Sequence, residues 1–116
     1  MVGTSPTMTA IVVALGAGAS LSQEIELLDQ LGGLGSEPYM LMERFVFDGD
    51  RSRALRSIEK MQLEGLIVLS IGEKPVEDWR LSAWRRSPDD PGTTSSLAQA
   101  ELSITNLGVK WLTHGP

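Results

Sequence analysis

DRSRALRSIEKMQLEGLIVLSI, residues 50–71, is the stretch whose reading decides the fold of this chain. On a helical wheel Ala54, Leu55, Ile58 and Met61 gather on one arc, while Arg53, Arg56, Ser57, Lys60 and Glu64 fall on roughly the opposite one. One face therefore suits a core and the other is cationic. Asp50 can accept hydrogen bonds from the orphan amides of the first turn, and Gly65 can take the left-handed conformation that ends a helix. Leu66, Ile67, Val68, Leu69 and Ile71 then favour an extended strand, so the spacing predicts a basic helix running straight into an apolar strand.

Working outward, a chain of 116 residues has room for one hydrophobic core and one domain. The absence of cysteine excludes disulfide staples, thiolate zinc sites and cysteine nucleophiles, and it is compatible with a reducing cytoplasm. The net charge of −5 opposes nucleic-acid binding as an average, but the charge is unevenly placed. Residues 1–50 hold one Arg against seven acids, a balance of −6, whereas residues 51–86 hold eight bases against five acids, +3. Residues 87–116 hold one Lys against three acids, −2. The cations thus concentrate on the candidate helix and the segment behind it.

Residues 1–19 form a tail that ends in an apolar tract. It contains no run of the roughly 20 apolar residues that a membrane span needs. No Lys or Arg precedes Arg44, so the basic start of a secretory signal is missing. Gly16 and Gly18 open a pattern like that of a dinucleotide-binding turn, but its third position is Leu21. A bulky side chain there blocks close strand–helix packing, so the glycines read as a connection. Ser20 with Gln23 has capping-box spacing, and Leu21, Ile25, Leu28 and Leu31 recur at helical intervals, predicting a first helix that stops at Gly32 and Gly33. Ser36 caps a predicted second helix with Pro38 in its first turn and an apolar stripe of Tyr39, Met42, Phe45 and Val46. Residues 47–50 make the turn into the third helix.

Behind the central strand, residues 72–100 read as a long wing. Residues 78–84 alternate as an added strand would, and SPDDPGTTSS, residues 87–96, reads as a flexible loop. Leu102 and Ile104 then alternate as a half-buried strand, Thr105 caps a final helix, Val109 and Leu112 bury one side of it, and Trp111 anchors it.

LRSIEKMQLEGLIVLS at 55–70 and ELSITNLGVKWL at 101–112 carry a resemblance to winged helix-turn-helix proteins of the MarR-like and PadR-like bacterial transcription regulators. The first stretch is similar to the family's recognition helix entering "L-x-x-x-GLI", and the second to its last wing strand and "L-T-x-x-G-x-x-x-L" helix start. The resemblance covers about residues 20–113. It implies an α+β winged helix: a three-helix core, a β-hairpin wing and a short C-terminal helix. Its implied activity is duplex DNA binding and transcription regulation, with the third helix in a major groove and the wing on the backbone or minor groove. The expected contacts are Arg51, near a phosphate, with Arg53, Arg56, Ser57 and Lys60 on the helix and Arg80, Arg85 and Arg86 on the wing. A homodimer is expected, with the N-terminal tract as its dimerisation segment because the final helix is short. The alternative is a winged helix used as a protein interaction module without DNA binding.

An enzyme is not expected. His114 is the sole histidine and lies near the end of the chain, so neither a His-based triad nor a multi-histidine metal site can form. Asp48 with Asp50 and Asp89 with Asp90 sit in turn sequences that favour Asp for backbone reasons. No cofactor and no metal are expected.

Overall fold

A computed structural model describes residues 21–114. In chain order they form α1 (Leu21–Leu34), β1 (Ser36–Pro38), α2 (Tyr39–Phe45), α3 (Arg51–Leu63), β2 (Ile67–Ile71), β3 (Lys74–Pro75), α4 (Asp78–Arg86), α5 (Pro91–Leu97), β4 (Ala100–Ile104) and α6 (Asn106–His114). The architecture is α+β, with six helices and one four-stranded antiparallel sheet among the described residues. The expected Ser20 cap and the proposed dimerisation tract at 1–19 lie outside the described residues.

The central stretch folds as its pattern dictates. Asp50 accepts from the Arg53 amide at 3.1 Å, and Gly65 closes the helix at a φ of +81°. Ala54, Leu55, Ile58 and Met61 are fully buried. In the sheet, ordered β1-β4-β2-β3, Ile67 faces Ile104, Leu69 faces Leu102 and Ile71 faces Ala100. These pairs line the core side, while Val68, Ser70, Glu101 and Ser103 alternate to the other side. Pro38 and Pro75 lie on the two edge strands, where a missing amide leaves less for another chain to pair with.

Several expectations are corrected. The first helix does not stop at Gly32 and Gly33 but runs to Leu34, and Gly35, at a φ of +86°, ends it; a Cβ on Gly32 would lie 3.2 Å from Leu112, so the bare backbone there lets α6 pack close. Residues 36–38 are not a helix start; they pair with β4, with Glu37 opposite Leu102. Phe45 is 64 % exposed because it falls roughly a quarter turn from the stripe of Tyr39, Met42 and Val46 at 100° per residue.

Residues 72–100 are not one long hairpin. β2 and β3 meet across a two-residue turn, Gly72-Glu73, with both residues at positive φ, and β3 has only two residues. Residues 78–84, expected as a strand, belong to α4, because Leu81 and Trp84 bury together at helical spacing. The expected loop at 87–96 contains α5, with Asp90 at the N-cap position and Pro91 in the first turn. The three-helix core therefore gains two helices between β3 and β4. No helix among the described residues is long and apolar enough to cross a membrane.

The last helix is held by a close approach. Thr105 Oγ1 accepts from the Gly108 amide at 3.0 Å and lies within hydrogen-bond distance of the Gly65 and Leu66 carbonyls at the end of α3. A Cβ on Gly108 would stand 2.2 Å from the Leu66 carbonyl oxygen and 2.7 Å from Ile104. Since Gly108 is the residue turned to the core, its neighbour Val109 is 45 % exposed rather than buried as expected. Gly108→Ala should destabilise the fold by about 1–3 kcal/mol through overpacking against backbone, measured by urea denaturation. A variant as stable as the parent would contradict this contact.

Candidate functional site

α3 and α4 lie side by side and antiparallel. Gln62 Nε2 donates to Asp78 Oδ1 at 2.9 Å and to the Val76 carbonyl at 3.1 Å, Arg85 Nε donates to Glu59, and Arg51 donates to the Pro88 carbonyl at 3.2 Å. Gln62 Oε1 also accepts from the Leu69 amide at 2.9 Å, so one side chain ties α3 to both the sheet and α4. Between them run Leu81 and Trp84, buried at 0 % and 7 % exposure, with Arg80 stacked 5.1 Å from the Trp84 ring.

This packing decides what each expected contact can do. Arg51 is not free to meet a phosphate. It is 16 % exposed and its guanidinium donates to both oxygens of Glu43, to Pro88 O and to Thr94 Oγ1, the last at 2.7 Å. Glu43 also accepts from Tyr39 Oη at 2.7 Å, and its bond to Arg51 raises the guanidinium pKa above the usual range. Burial, reinforced by Glu43, pushes the Tyr39 phenol up as well, so it stays neutral. Ser57, expected on the outer face, is 1 % exposed and part of the buried side of α3.

Lys60 is held between Glu24 at 3.5 Å and Glu64 at 3.4 Å. Burial raises the Glu24 carboxyl pKa, with Lys60 opposing that shift. Arg53 pairs with Asp50 at 3.8 Å across an exposed turn, and Arg85 pairs with Glu59. Three of the eight are cations with no ionic partner among the described residues: Arg80, half-buried over the Trp84 ring, and two exposed groups, Arg56 on α3 and Arg86 on α4, the latter meeting Ser82 Oγ at 3.4 Å.

The same two helices expose two apolar side chains that the sequence did not place together, Leu63 at 63 % exposure and Trp79 at 67 %. Trp79 Nε1 donates to Glu77 at 3.3 Å, which orients the ring outward. A helical signal was present in this segment: Asp78 in the first turn and Arg85 and Arg86 in the last complement the helix dipole.

Arg51→Ala leaves the Glu43 carboxylate buried without its charge partner and should cost about 3–5 kcal/mol in chemical denaturation. Arg56→Ala should stay within about 0.5 kcal/mol of the parent. Equal effects would contradict the division of the cations into structural and free groups. Set against family models, curated proteins and solved structures, the chain finds no match in any of the three.

Proposed function

We propose that this chain is a winged-helix protein interaction module whose contact surface is the shared outer face of α3 and α4. In support of the winged helix, the elements follow the order helix, strand, helix, turn, helix, strand, with β4 seated between β1 and β2. α3 then holds the place of the recognition helix. The observation that carries the interaction reading is the packing of α4 along α3. A major groove about 12 Å wide admits one helix of about 10–12 Å diameter. α4 packs along the flank of α3 and exposes Trp79 and Arg86, so a duplex approaching Arg56 on α3 would meet a second helix beside it.

The charge on this surface points the same way. Phosphate binding draws its strength from cations free to replace counterions. Of the eight basic and polar groups expected to do so, Arg51, Arg53, Lys60 and Arg85 are engaged by the protein's own carboxylates, Ser57 is buried, and Arg80 lies half-buried over the Trp84 ring. The exposed groups left without a carboxylate partner among the described residues include Trp79, Leu63, Arg56 and Arg86, a set rich in the Trp and Arg anchors of protein interfaces. The second reading, a DNA-binding transcription regulator resembling the MarR-like and PadR-like proteins and acting as a homodimer, is favoured by one observation: Arg56 sits unpaired on the outer ridge of α3.

Titration of a fluorescent mixed-sequence duplex separates the two. The interaction module should show no binding tighter than the roughly 10⁻⁴–10⁻⁶ M of non-specific association, and Arg56→Ala should change nothing. Tighter binding that weakens steeply with salt, with a slope reduced by about one unit in Arg56→Ala, would establish the regulator instead.

A further inference from the structure

The contact residues lie in two parallel strips. On α3, Arg56 and Leu63 stand on the turns either side of Glu59; on α4, Trp79, Ser82 and Arg86 follow at three- and four-residue spacing. The antiparallel alignment set by Gln62–Asp78 and Glu59–Arg85 puts Leu63 and Trp79 at one end of the double strip and Arg56 and Arg86 at the other. The Glu59–Arg85 pair lies between and neutralises itself. The face is apolar at one end, cationic at the other, and about as long as the two helices are in contact.

A complementary strip exists on the same chain. α1 turns Leu27, Leu28 and Leu31 inward and leaves Ile25, Glu26 and Asp29 outward. Ile25 is 38 % exposed, and neither Glu26 nor Asp29 has an ionic partner among the described residues. These three residues occupy neighbouring turns of a 14-residue helix about 21 Å long. An apolar residue beside two carboxylates is the chemistry that Leu63, Trp79, Arg56 and Arg86 lack.

We propose that the α3–α4 face binds α1 of a second copy of this chain, with Ile25 against Leu63 and Trp79 and the Glu26 and Asp29 carboxylates against Arg56 and Arg86. This rests on the interaction-module reading and names its partner. The two surfaces differ, so the contact is head-to-tail unless two copies exchange both contacts around a two-fold axis. One helix on a two-helix face buries an area at the low end for specific interfaces, so association is weak and concentration-dependent. Charge pairs at its rim make it sensitive to salt.

The test is sedimentation of the full chain and of three charge-reversed variants, from about 10 μM to about 1 mM protein at low salt, a range suited to weak contacts. The parent should associate. Arg56→Glu with Arg86→Glu, and separately Glu26→Arg with Asp29→Arg, should each weaken association about tenfold or more, because like charges then face each other. An equimolar mixture of the two double variants retains one intact pair of surfaces and should form a heterodimer. The variant carrying all four reversals keeps the net charge of −5 and should associate as the parent does. A parent that stays monomeric throughout, or double variants that associate as the parent does, would overturn the proposal. Either result leaves the duplex titration unaffected, so this partner can fail while the module reading stands.

Discussion

The burial of Leu81 and Trp84 against α3, continued by Leu97 from α5, is the constraint on which the exposed surface depends. Each such side chain contributes about 1.5–3 kcal/mol when fully buried. Together they are worth on the order of 5–10 kcal/mol, as large as the whole stability of a typical domain. The segment between β3 and β4 is therefore not a flap that lifts to bare α3. It closes the core, and α3 keeps α4 as a neighbour for as long as the chain is folded.

Polar contacts finish what the apolar ones begin. Arg51 reaches Glu43 on α2, Pro88 in the α4–α5 connection and Thr94 on α5, so one guanidinium fastens the segment between β3 and β4 to α2 and α3. Taking this charge out of water is worthwhile only because nearly all its donors find acceptors in fixed positions. The consequence for function is direct: a cation satisfied in this way cannot also serve a polyanion. The basic balance of residues 51–86 is real, yet four of its eight cations pair with the protein's own carboxylates, and the outer face of α3 and α4 is a mixed apolar and cationic strip.

How far the fold could be read in advance follows from how local its causes are. The α3 boundaries were legible because Asp50 and Gly65 act on their own backbone, and the α3 core face because 3.6-residue periodicity needs no partner. Thr105 was legible for the same reason. β1 was not, since three residues become a strand only when β4 lies beside them. α4 was missed because Trp79, Leu81 and Ala83 also alternate, and the choice between periods was settled by Leu81 and Trp84 meeting a core assembled elsewhere. Of the candidate site, Arg56 was placed correctly as an outward side chain. Arg51 was not, because its acceptors come from positions up to 43 residues away.

Native-state amide hydrogen exchange along α4 tests the central claim most directly. If α4 is a permanent wall of the core, the amides around Leu81 and Trp84 open only with the whole molecule and share the opening free energy of those around Leu55 and Ile58 in α3. Rapid exchange throughout α4 while α3 stays protected would show that the flank of α3 can be bared without unfolding, and would contradict the account of α4 as a fixed wall.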